Sequence, residues 1–264
     1  MGTRWYLGID VGSTASKCVI VDECGEVAGT GLHPSGAGTA GPQKALAAAF
    51  DALGDGSTMA TMAAVCSTGY GRHLLADADE QLSELSCHAK GAARLFPGVR
   101  TIVDIGGQDA KVLRVDERGR LENFVMNDKC AAGTGRFLDV MASIFGCTVA
   151  DLSAYDARAE KVSPVSSTCT VFAESEVISK LSQGESIPNI VAGIHLSVVE
   201  RTHGLMRRVG VEPGVAMTGG VALNEGLRRR LAALAGYDIV TSPLAQYNGA
   251  LGAALYALEK ASAA

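Results

Sequence analysis

The sequence predicts an α/β protein made of two copies of one unit. Three observations predict it: strand-length apolar runs alternating with helical stretches, a repeat at constant spacing, and glycine-rich turns at matching places in the two copies. The repeat appears when "WYLGIDVGSTASKCVIVDECGEVAG" is laid over "TIVDIGGQDAKVLRVDERGRLENFVM". Asp10, Gly12, Lys17, Asp22, Glu23 and Gly25 then meet Asp104, Gly106, Lys111, Asp116, Glu117 and Gly119, each pair 94 residues apart without a gap. Such a duplication divides the chain into halves at 1–97 and 98–246, with the last helix, 247–264, available to pack back on the first. Two α/β halves of this kind are expected to face each other across a cleft.

The elements follow in order. Apolar runs at 5–9 and 18–21 flank a Gly-Ser-Thr turn, and Cys24-Gly25 turns the chain into a third strand over 26–32. A Pro-started, alanine-rich helix is expected over 42–53, then a strand in "MAAVCS", the segment "STGYGR" and a helix over 79–95. Three strands open the second half. A helix follows with Phe137, Leu138, Met141, Ile144 and Phe145 as its apolar face, and another over 170–183 places Val177, Ile178 and Leu181 together. A long helix over 188–208 ends near Gly210, and strands near 215–217 and 238–241 alternate with helices near 225–235 and 247–260.

Composition narrows the function classes. The 264 residues are 47% hydrophobic and 19% charged, with a formal charge of -5. That balance argues against a nucleic-acid binder and gives no reason to expect an anionic membrane surface as partner. The triplet Arg228–Arg229–Arg230 reads as a solvated helix face. No apolar run approaches the roughly 18 residues of a membrane span, and a strand begins by Trp5 where a signal peptide would stand. The expected location is cytoplasmic. Seven cysteines, an odd number without CxxC spacing, do not suggest a disulfide framework in a reducing compartment, so each is core or site.

"DVGSTASK" at 10–17 places small residues in a strand-to-strand turn. Small side chains let several backbone N–H groups point at one anion, and Ser13 and Thr14 add hydroxyl donors. Lys17 is either a phosphate partner or an outward strand residue, and Asp10 at the strand end suits a hydrated Mg²⁺. "DIGGQDAK" at 104–111 offers the same arrangement from the other copy. One such turn alone is a plain β-turn; two from duplicated halves read as a phosphate clamp. In "MTGGVALNEGL" at 217–227, Gly219 and Gly220 either admit a base or ribose to the backbone, with Asn224 or Glu225 as polar contact, or serve strand-to-helix geometry alone. GxxxxGK[ST] is absent, which excludes a Walker-type site.

Cys130 in "NDKCAAGTGRFLDVMA" and Cys169 in "SSTCTVFAESEVISKLSQG" each stand at the start of a helix. Unpaired N–H groups there favour a thiolate and any anion bound to it. A zinc site or an iron–sulfur cubane wants four ligands, and one chain supplies two. Either a C₂ dimer completes the set at its axis, or both are buried thiols. Cys18, Cys66, Cys87 and Cys147 read as structural, and Cys24 lies in a turn. His88 and His203 read as surface or satisfied core residues; His195 lies in the long helix, where a contact with a dimer mate is open to it but nothing in the sequence compels one.

Two duplicated halves, two phosphate turns and a late glycine pair resemble the actin, Hsp70 and sugar-kinase ATPases. That resemblance implies two ribonuclease H-like halves with ATP and Mg²⁺ in the cleft, and closure governed by the γ-phosphate. Further motifs are "LGIDVGSTASKC", "TGYGR", "DIGGQDAKV", "MTGGVALNEG" and "SPLAQYNGALGAALYA", together with both cysteine segments. With these the chain is similar, from Leu7 to about Ala257, to the ATP-dependent activators of 2-hydroxyacyl-CoA dehydratases, and more distantly to the ATPase subunits of benzoyl-CoA reductase.

The resemblance implies one [4Fe-4S] cluster bridging a homodimer, held by Cys130 and Cys169 of each chain. It assigns Ser13, Thr14, Ala15, Ser16 and Lys17 to the first phosphate loop and Gly106, Gly107 and Gln108 to the second. Gly133, Thr134 and Gly135 then lie between cluster and phosphates, Gly219 and Gly220 meet the adenosine of ATP or ADP, and Gln246 or Asn248 touches the base or ribose. Reduced ferredoxin or flavodoxin would supply one electron, passed on to the dehydratase component under ATP hydrolysis. Asp10 and Asp104 would hold Mg²⁺-bound water and Gln108 orient the attacking water, or these residues serve the fold alone. A small-molecule kinase on the same fold is the rival from another class. It requires an acceptor pocket and substrate-binding insertions, for which the chain is short.

Overall fold

The computed structural model describes residues 3–127, 130–166 and 169–263. They form two compact units. Unit 1 takes the chain up to Gly98, the short stretch Asp116–Leu121 and everything from Gln246; unit 2 takes Val99–Val115 and Glu122–Ala245.

In unit 1, β1 (Tyr6–Val11), β2 (Ser16–Val21), β3 (Val27–His33), β4 (Ala64–Thr68) and β5 (Glu80–Gln81) form one sheet in the order β3-β2-β1-β4-β5. β1 runs antiparallel to β2 and parallel to β4, which sets Asp10 beside Lys17 on one side and Thr68 on the other. Both faces of the sheet are covered, which is why β1 reads as a continuous apolar run rather than an alternation. Leu7, Ile9 and Ile20 pack with Ala45 and Ala49 of α1 (Gly41–Leu53). Tyr6, Val19 and Cys66 pack with α8 (Asn248–Ala263) and with Cys87 of α2 (Glu84–Leu95).

The helix expected over 79–95 begins only at Glu84. Residues 80–81 pair with β4 instead, Asp79 accepts a bond from Val65 N–H at 2.8 Å, and Leu82 N–H donates to Ser67 O at 2.9 Å. A sheet edge with unpaired groups competes successfully for this short segment.

Unit 2 repeats the sheet with β6 (Thr101–Ile105), β7 (Ala110–Val115), β8 (Leu121–Asn127), β9 (Val215–Thr218) and β10 (Ile239–Val240), in the order β10-β9-β6-β7-β8. Read from its other edge, this is the order of unit 1. The registers match as well: Asp104 lies beside Lys111 on β7 and Thr218 on β9. The second hairpin turn is equally conserved in form, Gly25 N–H donating to Asp22 O in one copy and Gly119 N–H to Asp116 O in the other.

Helices distinguish the second copy. α3 (Gly135–Ile144), α5 (Thr170–Ser182), α6 (Ile187–Val209) and α7 (Glu225–Ala235) stand where the periodicity predicts them. Phe137, Leu138 and Met141 of α3 are fully buried, with Ile144 and Phe145 partly so, as expected. On α5 the buried face is Ala173 and Val177, and Ile178 turns to solvent. α4 (Val149–Ala157) was not predicted, although Thr148 and Asp151 form a reciprocal capping box at its start. Among the described residues no single helix is long and apolar enough to cross a membrane.

Candidate functional site

The first of the two turns read from the sequence as phosphate loops belongs to unit 1. Gly12 N–H donates to Ala15 O at 3.1 Å, closing a tight turn, and Gly12 O accepts from Ala37 N–H at 2.9 Å. Ser13 is exposed and Thr14 half-exposed, so both hydroxyls are available to an anion. Ser16 is not: it is fully buried and donates to Ser35 O. Lys17 is drawn to Asp10, with Nζ 3.2 Å from Oδ2. The register of the hairpin explains this, because Lys17 and Asp10 are direct cross-strand neighbours.

Unit 2 carries the matching turn. Gly106 N–H donates to Asp109 O at 2.9 Å, and Lys111 Nζ lies 3.3 Å from Asp104 Oδ2 and also pairs with Asp109. Gln108 projects from the turn, exposed. Two backbone bonds tie the start of α3 to this turn, from Gly135 N–H to Gly106 O and from Arg136 N–H to Gly107 O, both 2.8 Å. Thr134 is buried and donates to Ala131 O at 2.6 Å, so it shapes the segment with its hydroxyl already engaged. Residues 131–136 are therefore mechanically joined to the second phosphate turn.

A Thr-Gly step, of which the sequence reading singled out only Gly219, stands beside each hairpin. Thr68-Gly69 and Thr218-Gly219 each end the strand parallel to the Asp-bearing one. Both glycines have positive φ, 87° and 84°. A Cβ at Gly69 would overlap Asp10 Oδ1, and one at Gly219 would overlap the Ile105 carbonyl. The sequence signal was the repeated Thr-Gly, in "TGYGR" and "TGGV", but its spacing is not 94, because unit 2 inserts helices before its fourth strand.

The threonines act differently. Thr218 donates to Asp104 Oδ1 at 2.7 Å, whereas Thr68 donates to Leu82 O at 3.0 Å. Asp104 is thus held through both oxygens, and its side chain is 2% exposed. Asp10 is held through Oδ2 by Lys17, leaving the oxygen beside Gly69 clear of Thr68.

Several expected contacts have structural employment. Asn224 is the N-cap of α7, accepting from Leu227 N–H at 3.0 Å, and donates to Val149 O. Gly220 opens a short 3₁₀ turn over 220–223. Asn248 is fully buried at the start of α8 and donates to His88 O at 3.0 Å, while Gln246 remains half-exposed.

His195 is buried inside unit 2 rather than offered to a partner. Its Nδ1 lies 3.6 Å from Asp156 Oδ2 and its Nε2 3.3 Å from the Asn224 amide. Burial pushes the Asp156 carboxyl upward, but the neighbouring His195 and the hydrogen-bonded Arg230 outweigh it and hold the pKa at about 2. Arg229 and Arg230, expected to be solvated, both reach this carboxylate.

The two singled-out cysteines lie in unit 2. Cys169 is the N-cap residue of α5 in extended backbone conformation, and its carbonyl accepts from Ala173 N–H at 3.0 Å. Cys130 stands a loop earlier than expected, ahead of Thr134, which is the N-cap of α3. Asn127 fixes it through a bond from its side-chain amide to Cys130 O at 3.1 Å. Both thiols are partly accessible, unlike the buried Cys18, Cys66 and Cys87. Among the described residues no three His, Cys, Asp or Glu side chains gather as a metal set. A four-thiolate site built on these two would need a second chain. Val171 and Phe172, directly after Cys169, are 66% and 71% exposed, an apolar flank suited to such a contact.

Comparison with known proteins gives a consistent picture. Residues 7–257 match the BadF/BadG/BcrA/BcrD ATPase family. The chain is 55% identical to the (R)-2-hydroxyglutaryl-CoA dehydratase activating ATPase of Acidaminococcus fermentans, over 98% of each chain. It is 51% identical to the activator of lactoyl-CoA dehydratase of Anaerotignum propionicum, over 97% of this chain and 98% of that one. The solved activator of the 2-hydroxyisocaproyl-CoA dehydratase from Clostridium difficile, with bound ADPNP, superposes with a TM-score of 0.94 at 49% identity, covering 98% of this chain and 96% of that one. The fold is that of the actin, Hsp70 and sugar-kinase ATPases.

Proposed function

The chain belongs to the BadF/BadG/BcrA/BcrD ATPase family, and from that premise we propose that it is the ATP-driven one-electron activator of a 2-hydroxyacyl-CoA dehydratase. The partner put first is (R)-2-hydroxyglutaryl-CoA dehydratase, after the relative at 55% identity. The observation that carries this reading is the pair of partly accessible thiols, Cys130 and Cys169, in a unit whose thiol segment is bonded to a phosphate turn.

Cys130 and Cys169 fit half of a [4Fe-4S] site, and a homodimer supplies the other half. Such a cluster, when bound, stores and passes a single low-potential electron. Reduced ferredoxin or flavodoxin is the donor, and the dehydratase is the acceptor. Ser13, Thr14 and the backbone of the two turns bind the phosphates of ATP, with Gly106 and Gly107 placed to pull on residues 131–136 through Gly135 and Arg136. That linkage is how nucleotide state would reach Cys130. Asp10, with an oxygen clear of Thr68, is the better ligand for Mg²⁺-bound water; Asp104 positions the strand end, and Gln108 orients the attacking water.

Anaerobic purification followed by iron and sulfide determination tests the reading. About four irons per dimer and a broad band near ~400 nm, both lost in Cys130→Ser and in Cys169→Ser, are expected for four-cysteine ligation. An iron-free, colourless wild type would reduce the proposal to an ATPase without electron transfer.

A further inference from the structure

Unit 2 contains a cavity that none of the residues above explains. It measures about 310 Å³ and is walled by the end of β8 at Met126 and Asn127, by Ala132 and Gly133, and by one face of α6. That volume is in the range of pockets that hold small ligands. α6 contributes Arg201, Thr202, Leu205 and Arg208, with the two arginines seven residues apart and so on the same side of the helix. No acidic side chain lines the cavity among the described residues. Arg208 is exposed and makes no ion pair with the described residues, so its guanidinium brings uncompensated positive charge to the opening.

The chemistry of the lining is specific. Guanidinium groups recognise carboxylates and phosphates through paired N–H donors, more strongly than neutral donors do. Met126, Leu205 and Ala132 supply an apolar wall against which a short carbon skeleton would lie. The location is also specific. Gly133 packs its Cα against the aliphatic part of Arg201, where a Cβ would come within 3.1 Å of Cδ. Asn127, also in the lining, donates from its side-chain amide to the Cys130 carbonyl. Anything seated against Ala132 and Gly133 in this lining bears on the segment that joins Cys130 to the Gly106–Gly107 turn.

We propose that this cavity binds a small anion bearing a carboxylate or phosphate group, and that its occupancy restrains residues 131–135. The site stands on unit 2 alone and does not depend on the cluster or on electron transfer. Occupancy would add a contact to a segment that otherwise is held by the bonds at Thr134, Gly135 and Arg136.

Calorimetric titration of the full-length protein, anaerobically purified and saturated with ADP, tests it with two probes, inorganic phosphate and succinate. One saturable event per chain is expected with at least one probe; which probe binds distinguishes a phosphate from a carboxylate site. Arg208→Gln should weaken it by about tenfold or more, the loss of one charge-assisted contact, and Arg207→Gln, outside the lining, should leave it unchanged. Hydrogen exchange at the amides of 131–135 should slow on saturation in the wild type and not in Arg208→Gln. Absence of saturable binding by both probes, or binding indifferent to Arg208→Gln, would overturn the proposal. Binding lost instead in a variant of the first phosphate turn, Ser13→Ala with Thr14→Val, would do so too, since the anion would then sit at the nucleotide loops.

Discussion

The hairpin of unit 1 and the hairpin of unit 2 share strand order, register, turn closure and an aspartate–lysine pair, yet they treat the aspartate differently. In unit 2 the carboxylate of Asp104 is shut in by Lys111, 4% exposed, and by Thr218. In unit 1 Lys17 is 17% exposed, and Thr68 turns its hydroxyl to Leu82 O. The choice of acceptor by one threonine hydroxyl separates a carboxylate bonded through both oxygens from one bonded to its lysine alone among these neighbours. A duplicated scaffold can thus give the same acid two different surroundings without changing its backbone: in one copy both oxygens are bonded, and in the other one oxygen lies clear of the neighbouring threonine.

The largest effect expected from this contrast is on stability. Lys111→Met removes the buried cation beside Asp104 and should cost about 3–5 kcal/mol, the usual penalty for breaking a buried pair from one side. Lys17→Met should cost under about 1 kcal/mol, as for a partly solvated pair. Urea denaturation of the two variants measures the difference, and equal losses would erase the comparison. Activity should run the other way. Asp10→Asn should lower ATP hydrolysis about a hundredfold with little change in stability, if removing a ligand to Mg²⁺-bound water resembles loss of other transition-state stabilisers; Asp104→Asn should lower it less than tenfold per folded molecule.

Acid sharpens the contrast, because unit 2 carries an extra sensitive group in Asp156. Its folded pKa of about 2 lies below the unfolded value, so its contribution to stability is complete above about pH 4 and is lost as pH falls through about 2. The shift corresponds to about 2 kcal/mol. Arg230→Met should move this acid step to higher pH in denaturation curves recorded between pH 2 and 6. The smallest effect concerns the hydroxyls. Thr218→Val should cost about 1–2 kcal/mol by removing a hydrogen bond to a buried carboxylate, and Thr68→Val about 1 kcal/mol. Thermal melts of the pair would show whether the two threonines are as unequal as their partners.

Much of this was legible before any coordinates. The constant spacing of Asp10, Gly12 and Lys17 to their counterparts announced the duplication, and the sheet orders repeat it strand for strand. Helical periodicity located α3 and α6, whose buried faces are long enough for a 3.6-residue period to be read reliably. α4 escaped notice because its apolar face is short; its capping box was the available signal. β5 escaped because two residues carry no period at all, and its formation depends on the open edge of β4.

Sequence by itself determined the two-copy α/β plan, the matched glycine turns and the family, because each depends on local residue types at short or constant spacing. Tertiary structure alone decided that the Lys17 ammonium lies 3.2 Å from Asp10, that Thr218 and not Thr68 bonds an aspartate, and that His195 lies beside Asp156 and Asn224. These are matters of side-chain direction between elements far apart in the chain. A hydroxyl or an ammonium group chooses among acceptors by distance and burial, and no periodicity along a sequence encodes which acceptor arrives first.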